Sequence, residues 1–347
     1  MENKKAAATI SDIAKLAEVS VATVCRVLNE KNNVAEKLRL RVINAIEVLD
    51  YKPQRIHNKI EPWFVILTDS TINAFTALVL SAINSQAVEK GFVPFIVQLP
   101  QNERKRTEVL NKIQKQNWSG MISCGFYQSD EAWIKLQETM KLPMVLLNSK
   151  ASHRNIACIR VNFQGAISDA IHHLTNLGHR HIAFLGDLSD QFCYDEMLGV
   201  ESALAKLGYT YPDEYRISVS LTAEGASQGI SQLMFLPEGQ RPTAIISFDD
   251  EFSVHILNAL HYHELSIPED ISIVGFDNIP IAAQTHPPLT TIDVPKYRIG
   301  QQLVDLMLQL IENKPSEPIG YIVINGSLIV RGSTGLAPRT SLNMGIL

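Results

Sequence analysis

The chain of 347 residues holds only four cysteines, at positions 25, 124, 158 and 193. None stands at metal-ligand spacing from another, so the thiols are read as reduced, buried or incidental. No run of about eighteen apolar residues occurs, which argues against a membrane-spanning helix. The opening MENKKAAA is polar and lacks the apolar core of a secretory leader. The expected location is therefore cytoplasmic, and a free-standing solute-binding protein for transport is disfavoured. A Gly-rich phosphate loop, a nucleophile elbow and a cysteine–histidine arrangement are also missing, which leaves little for an enzyme to use. Neither internal repeats nor low-complexity stretches interrupt the chain.

A net charge of −5 conceals an asymmetry. Residues 1–60 hold eleven Lys or Arg against seven Asp or Glu, whereas the remainder holds twenty against twenty-nine. A basic head favours phosphate contact with counterion release, and an acidic body discourages nonspecific adhesion to the same polyanion.

The segment from Ala8 to Val42 carries the clearest local pattern. Thr9 followed by Asp12 fits a capping box, and Ile10, Ile13, Ala14, Leu16 and Ala17 give a two-turn helix one apolar face. Glu18, Val19 and Ser20 interrupt it. Ser20 suits the N-cap of a second helix in which Val24, Val27 and Leu28 face inward, leaving Val21, Ala22, Thr23, Cys25 and Arg26 outward. Small and polar groups at an exposed helix N-terminus suit a major groove, where Ala touches a thymine methyl and Arg reaches guanine or phosphate. A third, basic helix follows.

From Trp63 onward, apolar runs with strand character alternate with amphipathic segments of helix length. WFVILT, FVPFIVQL, GMISC, PMVLLN, HIAFLGD, TAIISF and ISIVGFD read as strands. Ala74 to Lys90, Glu103 to Asn117, Phe163 to Leu177 and Asp195 to Leu207 read as helices. This alternation predicts parallel sheets covered by helices, with ligands beyond the carboxyl ends of the strands. The residues at those ends are Asp69, Cys124, Asn148, Asp187, Asp249 and Asp277, any of which could instead cap the next helix. PPLTTIDVP at 287–295 reads as a proline-bracketed strand, followed by a helix near Tyr297 to Glu312 and closing strands near Tyr321 to Ile324 and Ser327 to Val330.

Taken together, SVATVCRVLN, HLTNLGHRHIAFLGD, SIVGFDNI, PPLTTI and IVRGST resemble the LacI/GalR family of bacterial transcription repressors, over roughly Thr9 to Pro338. QTHPPLTTI, IVRGST and KKAAAT point within it to nucleoside-responsive members. The resemblance implies an all-α helix-turn-helix head at 1–52, a hinge at 53–62, a two-lobed α/β core at 63–338 like a periplasmic binding protein, and a tail at 339–347. It implies a homodimer on a pseudo-palindromic operator, a small-molecule effector with a nucleoside as candidate, and an accessory DNA-bound regulator as a further partner. No cofactor and no metal are called for. By the resemblance, Val21 and Ala22 read bases, while Ser20, Thr23, Cys25, Arg26 and Asn29 lie near bases or phosphates, and Ile60 takes the place of the leucine that wedges into the minor groove.

The chain departs from the family pattern in several places. Cys25 replaces a serine and is the weaker donor; Glu18 replaces a turn glycine; Ala35 replaces a capping Ser or Thr. His57 stands in place of a small alanine, and only Glu61, Pro62 and Trp63 separate Ile60 from the first strand, so a weak or absent hinge helix is expected. By the resemblance, Asn73, Phe75, Asn148, Glu196, Leu221, Asp249, Asp277 and Val294 occupy or adjoin the effector pocket between the lobes. Phe75 would stack on a ring and Asp277 would accept from vicinal hydroxyls. Glu196 in place of a common arginine disfavours an acidic effector and leaves neutral or cationic ones.

Two alternatives stay open. One is a regulator with a degenerate pocket, governed by a protein partner; the other, more distant, is a nucleoside hydrolase using the Asp249–Asp250 pair. The histidines at 172, 173, 179 and 181 resemble an ordinary helix-to-strand turn rather than a metal site.

Overall fold

The computed structural model describes residues 9–28, 34–49, 63–69, 71–126, 128–313 and 315–338. Asn29, Ile60 and the expected hinge at 53–62 lie outside the described residues. The chain forms two compact units, Met1–Ile60 and Glu61–Leu347.

The first unit contains α1 (Ile10–Leu16), α2 (Val21–Leu28) and α3 (Glu36–Val48). The capping box forms as expected: Thr9 N–H donates to the Asp12 carboxylate at 2.9 Å, and the Thr9 hydroxyl accepts from the Asp12 N–H. Ser20 Oγ accepts from the Thr23 N–H at 3.1 Å and so satisfies one orphan amide at the start of α2. Ile13, Ala14, Ala17, Val24, Val27, Val42 and Ala45 bury together and hold the three helices as one small core. Glu18 sits in the turn with φ 50°, a left-handed conformation that burdens any residue with a β-carbon. Its carboxylate meets Arg41 of α3 at 2.7 Å, an exposed pair that contributes little. At the N-cap of α3, Ala35 supplies no side-chain acceptor.

The second unit holds two six-stranded sheets. The first has the order β11-β5-β4-β3-β1-β2, in which β1 (Trp63–Thr68), β2 (Val93–Gln98), β3 (Gly120–Ser123), β4 (Met144–Leu147), β5 (Ile156–Asn162) and β11 (Tyr321–Asn325) all run parallel. The second has the order β12-β10-β9-β8-β6-β7, built from β6 (Ile182–Gly186), β7 (Arg216–Ser218), β8 (Ala244–Ser247), β9 (Ser272–Asp277), β10 (Thr290–Asp293) and β12 (Ser327–Ile329). Only β12 runs antiparallel to its neighbour. The connecting helices are α4 (Ala74–Glu89), α5 (Glu103–Gln114), α6 (Asp130–Met140), α7 (Phe163–Asn176), α8 (Gln191–Lys206), α9 (Ala223–Met234), α10 (Asp250–Tyr262) and α11 (Lys296–Asn313).

Most central strands are buried along their whole length, as parallel strands covered on both faces must be. The chain passes between the sheets three times: from β5 to β6, from β10 to β11, and from β11 to β12 through Gly326. This strand order makes two lobes, with the carboxyl ends of their parallel strands available to build a site. The expected strands all form. Two further strands, β5 and β7, were not among those expected, and α8 begins at Gln191 rather than Asp195, because Asp190 caps it by accepting from the Phe192 and Cys193 amides at 2.9 and 3.0 Å.

Candidate nucleic-acid interface and binding cleft

In the small unit, the geometry separates the two faces of α2. Val24 and Val27 are buried, whereas Ser20, Val21, Ala22 and Arg26 are exposed. Val21, an apolar side chain at the start of the helix, is 49% exposed, which is unexplained by packing within this unit. Thr23 and Cys25, expected to point outward, are half-buried, and the Thr23 hydroxyl is engaged with Ser20 Oγ at 2.9 Å. The face free to meet a ligand is therefore narrower than the sequence pattern implied: a hydroxyl, two small apolar groups and a guanidinium within two turns.

In the large unit, a cavity of about 1090 Å³ opens at the carboxyl ends of the strands and is lined from both lobes. The first lobe contributes Asp69 after β1, Arg106 of α5, Phe126 and Gln128 after β3, Asn148 after β4, and Arg160 of β5; the second contributes Asp190, Phe192, Asp195 and Glu196 of the α8 start. Asn148 is held at φ 57°, and its amide oxygen accepts from the Val161 N–H at 2.9 Å, tying the end of β4 to β5. Phe163 packs edge-on to Phe192 with ring centroids 6.5 Å apart. Arg160 lies over the Tyr321 ring at 4.9 Å and Arg106 over the Phe126 ring at 5.5 Å, contacts that fix both guanidinium groups. A direct bond also joins the lobes, since the Ala74 N–H at the start of α4 donates to the Glu251 carboxylate at 3.3 Å.

Glu196 is only 6% exposed, and its Oε2 is buried with no hydrogen-bond partner among the described residues. Burial raises its carboxyl well above the usual range, and the neighbouring charges of Asp277, Asp249, Asp190 and Asp195 all raise it further. Gln128 Nε2, another atom of the cavity lining, is likewise a donor without an acceptor. An orphaned acceptor and an orphaned donor in one cavity mark it as built for something else to complete.

Of the residues expected in the pocket, Asn148 and Glu196 line this cavity, while the others do not. Val294 is completely buried among apolar side chains and packs into the core. Asn73 caps α4, its amide oxygen accepting from the Thr76 N–H at 2.9 Å, and Phe75 packs against the core. Leu221 lies just before α9, whose N-cap is Thr222. Asp249 caps α10 by accepting from the Phe252 N–H. Asp277 ends β9 with φ 94°, followed by Asn278 at φ 52°, and the Lys296 ammonium holds the carbonyls of both. Burial raises the Asp277 carboxyl well above its ordinary value. Sequence reasoning missed Arg106, Gln128 and Arg160, whose positions depend on how distant elements converge.

Both carboxyl groups of the Asp249–Asp250 pair accept hydrogen bonds from within the protein. Asp250 is fully buried; its two oxygens accept from the Thr291 hydroxyl at 2.6 Å and the Ile279 N–H at 2.8 Å, and burial lifts its carboxyl to about 7. His179 is also fully buried, with Nδ1 at 2.9 Å from Thr243 Oγ1 and Nε2 at 3.1 Å from the Gly335 carbonyl oxygen, so it pins the closing segment to the second lobe. Among the described residues no helix is long and apolar enough to cross a membrane.

Comparison with known proteins places both units. Residues 9–54 match the family described as bacterial regulatory proteins, lacI family, and residues 171–334 match the periplasmic binding protein-like domain. The chain is 29% identical over 316 residues to the HTH-type transcriptional repressor PurR of Aliivibrio fischeri (strain MJ11), covering 89% of this chain and 94% of that protein. It is 29% identical over 343 residues to the HTH-type transcriptional repressor CytR of Escherichia coli (strain K12), covering 97% and 99%. Among solved structures, the lac repressor dimer bound to operator and the anti-inducer ONPF superposes with a TM-score of 0.69 at 25% identity, over 94% of this chain and 99% of that one. The transcriptional regulator CelR in its cellobiose complex gives 0.70 at 22% identity over the same shares, a likeness of fold.

Proposed function

Because this chain belongs to the lacI family of bacterial regulatory proteins, we propose that it works in the cytoplasm as a homodimeric transcriptional repressor, reading a pseudo-palindromic operator through its paired helix-turn-helix heads and answering to a small molecule in the cleft. The exposed start of α2 carries this reading. Ser20, Val21, Ala22 and Arg26 form a shallow, mostly uncharged face ending in one guanidinium, suited to thymine methyls and a guanine edge or phosphate. Thr23, Cys25, Asn29 and Ile60 complete the proposed DNA contacts. In organisation, 1–52 is the reader, 53–62 the shortened hinge and 63–338 the effector-binding and dimerisation core.

A second copy has a surface to meet. Edge strand β2 leaves Val93, Phe95 and Ile96 between 43% and 49% exposed, with Trp63 and Val88 also exposed, an apolar edge of the kind that pairing covers. Two-fold pairing matches a two-fold DNA site.

The effector is a molecule without net negative charge, since Glu196 stands unpaired in the cleft; a nucleoside is the member of that class that the likeness to the CytR repressor supplies. Ligand occupancy shifts the population between DNA-competent and incompetent lobe arrangements. The test is selection of bound sequences from random duplexes by the full chain, with and without cytidine, adenosine or a neutral sugar. Enrichment of a palindrome is expected, and its change with one ligand identifies the effector class. A palindrome indifferent to all ligands favours control by an accessory DNA-bound protein, and no enrichment overturns the DNA-reading assignment.

A further inference from the structure

The cleft is electrically two-sided. On the second-lobe wall, Asp190 and Asp195 already accept hydrogen bonds within α8, but the buried Oε2 of Glu196 has none, and the charged groups that act on it are all acids. Burial among acids favours the protonated form of such a carboxyl, and a cation brought in from outside favours the ionised one. On the first-lobe wall, Arg106, Arg160 and Lys150 line the same cavity beside a single carboxylate, Asp69, and among the described residues neither arginine forms an ion pair. Each is braced by an aromatic face, so the positive groups are positioned before any ligand arrives. Arg106 also donates to the Gln101 carbonyl at 3.1 Å, which leaves the charge of both guanidinium groups without a counter-ion facing the carboxyl of Glu196.

We infer that the ligand of this cleft is a zwitterion, an amine-bearing carboxylic acid of the amino-acid or short-peptide class, whose ammonium end reaches Glu196 and whose carboxylate end lies against Arg160 and Arg106. The inference rests on reading the cleft as the effector site, and within the net-neutral class it departs from the nucleoside. Occupancy from both walls would add attraction across the lobes and so favour closure, because each end of the ligand belongs to a different lobe. Ammonium binding ionises Glu196, so its proton leaves to solvent on association, which an uncharged ligand has no reason to cause.

The experiment is calorimetry and thermal shift on the full chain with the twenty L-α-amino acids, γ-aminobutyrate and a set of dipeptides. Matched amines without a carboxylate, matched acids without an amine, and cytidine, adenosine and ribose complete the panel. We expect saturable binding of at least one zwitterion, with both singly charged analogues at least tenfold weaker. Titration in buffers of different ionisation enthalpy should report net proton release. E196Q should weaken the zwitterion at least tenfold and abolish the proton release, while the wild-type panel stands alone if the variant folds poorly. Binding of a nucleoside or ribose with no zwitterion binding overturns this inference and leaves the effector reading intact. No binding by any member of the panel overturns both.

Discussion

Replacing Ala35 by Ser should stabilise the DNA-reading unit by about 1 kcal/mol, the usual difference between a side-chain N-cap and alanine. The backbone at Ala35 is already extended, at φ −58° and ψ 138°, and its carbonyl already accepts from the Leu38 and Arg39 amides at 2.9 and 3.1 Å. Only the hydroxyl is missing. A serine there needs no backbone change to reach an orphan amide in the first turn of α3. Since α3 contributes Val42 and Ala45 to the core that supports α2, the gain spreads through the whole small unit. For a two-state unit, about 1 kcal/mol corresponds to roughly a fivefold change in the folded-to-unfolded ratio. Hydrogen exchange on the full chain should therefore show the Val42 and Ala45 amides of α3 slowed about fivefold. A35V, which offers no acceptor, should leave them unslowed. Equal slowing in the valine variant, or none in the serine variant, would refute the capping argument.

Three further outcomes follow from the structure. Burial raises the carboxyls of Asp249 to about 6 and Asp250 to about 7 from an ordinary 3.8, so the folded state holds more protons between those limits. The stability they contribute is full below about pH 4 and is lost as pH rises through about 6 to 7, a fall visible in denaturant titrations. D250N should reduce it to the part that Asp249 contributes and keep the local bonds, because the Thr291 hydroxyl can turn to accept from the new amide while the amide oxygen keeps the Ile279 N–H. R26A should weaken operator binding and, where the contact is to phosphate, lower the slope of log affinity against log salt by about 0.9, measured by anisotropy at several salt concentrations. H179A should cost about 1–3 kcal/mol in urea unfolding, since it removes a fully buried side chain that bonds both the half-buried Thr243 hydroxyl and the Gly335 carbonyl.

The parts legible in the sequence were those with local causes. The Thr9–Asp12 box, the Ser20 cap and the buried spacing of Val24 and Val27 depend on neighbours within one helix, and they stand where the pattern put them. The strands announced themselves as uninterrupted apolar runs. β5 escaped because Arg160 breaks its run, and β7 because three residues give no periodicity. In the cleft, Asn148 and Glu196 were reached through family likeness, whereas Arg106, Gln128 and Arg160 come from a helix, a loop and a strand that meet only in the folded lobe. Val294 stands apart from these lining residues. Its position near the strand ends suggested a lining residue, but its apolar side chain has more to gain from the core than from a polar cavity.

The threefold passage of the chain between the lobes has a consequence during synthesis. Residues 321–325 close the open edge of β5, and residues 327–329 close that of β10. Until residues 321–329 leave the ribosome, the β5 and β10 edges both stay bare, and the two sheets are then completed one directly after the other. A prematurely ended product therefore carries two unfinished lobes rather than one good one. Aberrant translation thus exposes two open sheet edges together, the kind of surface that chaperones and proteases meet.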